Sequence, residues 1–290
     1  MKTAFITGAN VGQANLLTKA LAERGWRVFA GVLPGAPTDL KTGGNVTVVE
    51  QDVSNTESVR KSAETVTAAL AGGGLDLLMN VAGVANIATG VVEAMELSQV
   101  EKIFHINTFG QLRVVQAFLP LIRKNAPGSR IANYSSGAII ANPIGAGAYN
   151  MSKHAIHGMT LTLRHELAAL GIQVTSIVPG GVMTGMSVNS HENTRNSWNK
   201  QPEQIRKVYE PHLGNTYMKV LPDMLEKTGS TPQEALERTL KILDKKKWKP
   251  IELLGKDVDP AMGIMRRLFS DSTLETIMRS MFKIPSYKGP

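Results

Sequence analysis

Short apolar runs alternate along the chain with longer stretches of helical spacing. Seven runs read as strands: Thr3–Thr7, Arg27–Val32, Val46–Gln51, Leu75–Asn80, Arg130–Tyr134, Gln173–Ile177 and Pro250–Leu254. They are nearly continuously apolar, as parallel strands buried on both faces should be. Helical spacing recurs over Ala14–Glu23, Thr56–Ala69, Asn107–Arg123, Tyr149–Ala169 and Pro232–Leu243. This alternation predicts an α/β fold: a doubly wound, parallel, seven-stranded sheet with helices on both faces.

The alternation weakens after Pro179. Residues 183–228 hold Met183, Met186, Trp198, Tyr209, Tyr217 and Met218 among polar residues without strong periodicity. Adaptable methionines and aromatics suit a lid over an apolar substrate. An irregular surface excursion covering the core is the plain alternative. Met262–Met281 reads as one or two basic amphipathic helices, able to form a site wall, an interface or a face resting on membrane.

Composition narrows the class. The 290 residues are 42% hydrophobic and 19% charged, ordinary for a globular chain that buries a full core. With no cysteine, disulfides, thiolate metal sites and a cysteine nucleophile are excluded, and a cytoplasmic location is expected. The sequence opens directly on an apolar strand, so no signal peptide is expected, and no apolar run reaches the ~18 residues of a membrane span. The net charge of +8 is densest in DKKKWKP, Asp244–Pro250. That run suits a helix C-terminus, where cations complement the macrodipole. It lacks the basic–aromatic interleaving of a nucleic-acid stripe, and no nucleic-acid partner is expected. His154 and His157 have no third ligand at convincing spacing, so no metal is expected.

The first strand runs into ITGANVGQANLL, residues 6–17. Gly8 and Gly12 flank a turn that opens a helix, so that the backbone N–H groups around Asn10 and Val11 and the helix N-terminus stand where a diphosphate could sit. A Cβ would block that approach. The third small position is Ala14, which still permits close helix–strand packing. This places a dinucleotide in a Rossmann-type fold. Val32 stands where an acid closing the second strand would hold a ribose hydroxyl. No arginine nearby suits a 2′-phosphate, so NAD and NADP both remain open.

Residues 148–158, AYNMSKHAIHG, set Tyr149 and Lys153 four apart on one helical face. A neighbouring cation favours the ionised form of an acid, so Lys153 is expected to pull the phenol below its ordinary ~10. That would give a proton-transfer group usable near neutrality.

Together these pieces resemble the short-chain dehydrogenase/reductase family over nearly the whole chain. TGANVGQA (7–14) resembles the family's TGxxxGxG, with Ala14 for the last glycine. Asp52 and Val53 look like the acidic pair that contacts adenine. MNVAG (79–83) is similar to NNAG, keeping Asn80, Ala82 and Gly83. Asn107 matches the helix asparagine of the catalytic tetrad, with a plain helix-start residue as its alternative reading. Ser136 lies at the family's usual thirteen residues before Tyr149 and is preferred on that spacing to Ser135. PGGVMT (179–184) resembles the PGxxxT segment that the family uses around the nicotinamide, through Pro179, Gly180, Val182 and Thr184. GWRVFAGVLPGA and IELLGKDVDPAMGIMRRLF look like the branch containing retinol and hydroxysteroid dehydrogenases.

The resemblance implies a single Rossmann-fold domain. Residues 1–182 would be the cofactor-binding and catalytic core and 183–228 the substrate lid. Residues 229–290 would supply the last helix, last strand and a C-terminal helical extension. It implies hydride transfer between NAD(P)(H) and a ketone or secondary alcohol of a small lipophilic molecule. Tyr149 would be the general acid/base, Lys153 would tune it and bind the ribose, Ser136 would hold the substrate oxygen, and Asn107 would hold a water. Helices 107–123 and 149–169 imply a homodimer or homotetramer. A non-redox cyclase or dehydratase on the same fold, or a cofactor-sensing protein, are the competing readings.

Overall fold

A computed structural model of the chain describes residues 1–183, 190–255, 258 and 268–284. Its sheet has seven strands: β1 (Thr3–Ile6), β2 (Arg27–Val32), β3 (Val46–Glu50), β4 (Leu77–Asn80), β5 (Arg130–Tyr134), β6 (Gln173–Pro179) and β7 (Ile251–Leu254). The order is β3-β2-β1-β4-β5-β6-β7, with every pairing parallel. The chain first winds outward from β1 to β3, then crosses back to lay β4 on the other side of β1. That reversal opens a crevice above the carboxyl ends of β1 and β4, the place where such sheets bind ligands.

Ten helices flank the sheet among the described residues: α1 (Gly12–Glu23), α2 (Thr56–Leu70), α3 (Leu97–Lys124), α4 (Ala138–Ala141), α5 (Gly147–Leu167), α6 (Ser190–Asn199), α7 (Glu203–Tyr209), α8 (Leu221–Thr228), α9 (Pro232–Leu243) and α10 (Asp271–Met281). Successive strand residues point to opposite faces. Ile6, Ala30, Met79 and Ile177 therefore pack with Leu17 and Leu21 of α1 and Leu236 and Ile242 of α9. Phe5, Phe29, Leu78 and Ile131 pack oppositely with Val59 and Val66 of α2, Val114 and Phe118 of α3 and Leu163 of α5. The Phe5 and Phe118 rings meet at 4.1 Å. Buried on both sides, the strands carry the continuous apolar runs seen in the sequence.

Two expectations are corrected. The helix expected from Asn107 begins ten residues earlier, at Leu97, which removes Asn107 as a helix-start residue. Asparagine is a poor interior helix residue because its side chain competes for the backbone. Here that side chain is spent elsewhere in the fold. Second, the described part of the 183–228 segment is helical rather than irregular, with π-helical turns at Glu210–Gly214 and Thr216–Val220. Its strong periodicity is missing because the turns change pitch between short helices.

The basic run follows a helix C-terminus as expected, that of α9; its four lysines are exposed, and the run is also tied to β7 and β5. Lys245 pairs at 2.5 Å with the buried Glu252 of β7. Trp248 is buried, donates from Nε1 to the Ile242 carbonyl at 2.8 Å, and lies 5.0 Å beneath the Arg130 guanidinium.

Candidate active site

The crevice is lined where β1, β4, β5 and β6 end. Thr7 leaves β1, and its hydroxyl oxygen accepts from the Val81 and Ala82 N–H groups, both at 3.0 Å. That clamp seats the 80–83 loop against the glycine loop. Gly8 has φ +69°, and a Cβ there would lie 2.9 Å from the Ala82 Cα. Gly12 has φ +66°, and a Cβ there would meet no described atom within 4 Å. The space above Gly12 is thus open, at the start of a 12-residue helix whose N-cap, Val11, offers no capping oxygen. Unpaired first-turn N–H groups facing open space suit a diphosphate. The chain fits a dinucleotide at this end.

Other expected cofactor residues take mixed places. The Asn10 side chain bridges to the β2 exit, accepting from Leu33 N at 2.7 Å and donating to the Leu33 and Ala36 carbonyls at 3.3 Å. It braces the loop and leaves only its backbone for a ligand. Val11 is 66% exposed beside it, while Val32 is buried at the end of β2. Asp52 accepts from Ser54 N at 2.8 Å through Oδ1, and Val53 packs against Gly110 of α3. Asn80 faces inward, donating to Asn133 Oδ1 at 2.8 Å. Pro179 closes β6 and accepts from Gly137 N at 2.6 Å, while Gly180 donates to the Leu254 carbonyl at 2.8 Å. Val182 bridges to Ser230. Thr184 lies outside the described residues.

Gly147, with which α5 opens, lies against Val92 and Met95, and the helix carries both Tyr149 and Lys153. Tyr149 is half-buried. Its phenol is enclosed closely enough that burial raises its pKa, and a hydrogen bond with the Ser136 hydroxyl works the other way. The thirteen-residue separation thus brings Ser136, not Ser135, to the phenol. Ser135 is buried and donates to the Lys153 carbonyl at 3.0 Å, holding α5 against β5.

Lys153 departs from expectation. Its ammonium lies 5.6 Å from the Tyr149 ring centroid, over the ring face, and donates to the Tyr134 carbonyl at 3.0 Å. Burial lowers its pKa to about 8. The phenol is therefore raised by its own burial rather than lowered by the ammonium.

Asn107 is buried in α3. Its Oδ1 accepts from Val84 N at 2.8 Å, and its Nδ2 donates to the Val84 carbonyl at 2.9 Å and to Ser152 Oγ at 3.1 Å. A Cβ on Gly83 would lie 3.1 Å from Asn107 Oδ1 and 3.4 Å from Lys153 Nζ. Gly83 therefore sits where the asparagine, the lysine and the 80–83 loop meet. Thr7, Ser152 and Gln111 escaped the sequence reading. Gln111 donates from Nε2 to the same Tyr134 carbonyl at 3.1 Å. Its position one helical turn after Asn107 was the available signal.

An apolar cluster gathers beside the loop that leads into α5. Trp198 and Tyr217 stack at 5.1 Å between centroids and pack with Val91, Ile144 and Met218. Among the described residues no group of three or more His, Cys, Asp or Glu side chains is placed to hold a metal ion. His157 pairs with Ser176 Oγ at 3.1 Å and His154 with Asn142 Oδ1 at 2.9 Å.

Comparison with known proteins agrees with this geometry. The chain is 31% identical to retinol dehydrogenase 7 of Rattus norvegicus over 229 residues, covering 77% of this chain and 71% of that protein. It is 33% identical to estradiol 17-beta-dehydrogenase 2 of the same species over 222 residues, 74% of this chain and 56% of that one. A short chain dehydrogenase from Burkholderia cenocepacia J2315, solved in complex with NADP, superposes with a TM-score of 0.70 at 26% identity, covering 98% of this chain and all of that one. The family model described as short chain dehydrogenase matches residues 2–195. That range includes the glycine loop, the Thr7 clamp and Ser136, Tyr149 and Lys153, and the chain is an enzyme belonging to the short chain dehydrogenase family.

Proposed function

We propose that this enzyme transfers a hydride between NAD(P)(H) and a ketone or secondary alcohol of a small lipophilic molecule, with Tyr149 as general acid/base. The observation that carries this reading is the Ser136–Tyr149 hydrogen bond beside the buried Lys153 ammonium, at the end of the crevice that the glycine loop opens. A bound nicotinamide supplies or accepts the hydride. Gly8, Gly12 and the first turn of α1 would hold its diphosphate, with Val32, Asp52 and Val53 toward the adenosine. Asn80 through Gly83, Pro179 through Val182, Thr184 and Lys153 would flank the other half.

In oxidation, Tyr149 Oη takes the alcohol proton while Ser136 Oγ donates to the same substrate oxygen. In reduction, the phenol returns that proton to the developing alkoxide. Lys153 supplies the positive charge that offsets a phenolate in an enclosed site. Asn107 ties the α3 wall to the 83–84 loop and to Ser152, holding the floor beneath Lys153. Residues 183–228 act as the lid, and the Trp198–Tyr217 cluster favours an apolar substrate. Exposed Phe109 on α3 and Met151 on α5 support assembly of two or four copies through those helices. Among the described residues no helix is long and apolar enough to cross a membrane.

The test is a titration with NADH and NADPH followed by nicotinamide fluorescence, then a screen of lipophilic ketones and alcohols with the cofactor that binds. Saturable binding and absorbance change at 340 nm are expected. Binding without turnover on any substrate would favour the sensing alternative, and product formation without net cofactor oxidation or reduction would favour the non-redox one.

A further inference from the structure

Two donors converge on one oxygen at the end of β5. Lys153 Nζ reaches the Tyr134 carbonyl at 3.0 Å and Gln111 Nε2 reaches it at 3.1 Å. Tyr134 is the last residue of β5, and Gln111 is buried on α3, one turn beyond Asn107. A carbonyl oxygen has two lone pairs, so the pair of donors satisfies it completely. Lys153 alone would already give the group a partner. An apolar side chain of similar size at 111 would also avoid burying Gln111 Oε1, which has no hydrogen-bond partner among the described residues. Buried polar atoms left unpaired are costly. Packing alone therefore gives no reason for a glutamine here.

Resting on the roles proposed for Tyr149 and Lys153, the geometry points to a reason: Gln111 is a positioning residue for Lys153. An ammonium serving the phenol must turn away from the sheet end, and a single-donor arrangement would then strand the Tyr134 carbonyl in the core. Gln111 keeps that carbonyl paired whichever way the lysine points. It also shares the oxygen's electron density, so the Lys153 bond is weaker than an unshared one. The lysine is held in place and yet released at low cost. Gln111 touches neither phenol nor cofactor in this scheme. It acts only through the lysine.

The test uses the full-length enzyme with Gln111→Met and Gln111→Leu, beside wild type. Readouts are the pH dependence of kcat for alcohol oxidation, the cofactor Kd from nicotinamide fluorescence, and Tm. With the carbonyl left to Lys153, the ammonium stays there and the phenol loses its cation. The acid limb of kcat should move up by about one pH unit, lowering kcat at pH 7 about tenfold. Cofactor Kd should rise as well, by about threefold to tenfold, because Lys153 also flanks the nicotinamide half. An unmoved limb in both variants overturns the proposal, as does failure of both to fold, which would make Gln111 purely structural. A wild type that binds cofactor but turns nothing over would instead sink the functional reading on which it rests.

Discussion

Tyr217 of the proposed lid lies against Gly145, four residues ahead of Tyr149, so closely that a Cβ on Gly145 would fall 2.0 Å from the Tyr217 ring edge. Gly145 has φ +75°, and its carbonyl accepts from the Gly90 N–H at 2.9 Å, which fixes the chain on that side. The proposed lid therefore docks on the loop that leads into α5, the proposed catalytic helix.

Gly145→Ala should displace the lid. Positive φ and the ring clash together should cost about 2–4 kcal/mol of stability. KM for the lipophilic substrate should rise severalfold while cofactor Kd changes little. Calorimetry with steady-state kinetics checks both, and a Tm unchanged within a degree would mean that Tyr217 does not rest there.

Tyr149→Phe keeps the ring and removes the hydroxyl that meets Ser136. Turnover should fall at least about a hundredfold with cofactor Kd near that of wild type. Ser136→Ala should lose less, about tenfold to a hundredfold, because the phenol still transfers the proton. Full activity of Tyr149→Phe would end the assigned role.

Lys153 links the site to stability. Its folded pKa is about 8, against about 10.4 in an unfolded chain. Between those values the unfolded chain holds the proton and the folded one does not, so the lysine's contribution makes stability rise with pH. Lys153→Met removes that dependence. Its stability relative to wild type should fall by about 3 kcal/mol from pH 7 to pH 10.5. Urea denaturation at both pH values measures the difference, and parallel curves would show that the buried ammonium is not perturbed.

The two loop glycines should fail differently. Gly8→Ala drives a Cβ to 2.9 Å from backbone at Ala82, so it should lower Tm and weaken cofactor binding together. Gly12→Ala meets open space and should cost only about 1–2 kcal/mol for its left-handed backbone. Its new methyl stands in the diphosphate cradle, so cofactor Kd should rise at least about tenfold. Equal Tm losses in the two variants would contradict the geometry.

Local physics made much of this protein legible beforehand. Continuous apolar runs name buried parallel strands, and β2 and β5 carry the expected bounds. Turn glycines announce the loop, and a four-residue spacing puts Tyr149 and Lys153 on one helical face whatever lies around them. The start of α3 was hidden because Asn107 reads locally as a cap residue. Its actual partners, Val84 and Ser152, lie 23 and 45 residues away.

By itself, then, the sequence determined the strands, the glycine turn and which side chains share a helix face, because each follows from steric and hydrophobic requirements within a few residues. Tertiary structure alone decided where those side chains spend their hydrogen bonds. Register between β4, β5 and β6 brings the Tyr134 carbonyl under Lys153 and Gln111, which turns an expected phenol–ammonium pair into a lysine shared with the sheet end. The same long-range closure commits Asn10 to the β2 exit and Lys245 to Glu252. A hydrogen bond is satisfied by whichever group the fold delivers within about 3 Å, and no local pattern encodes that delivery.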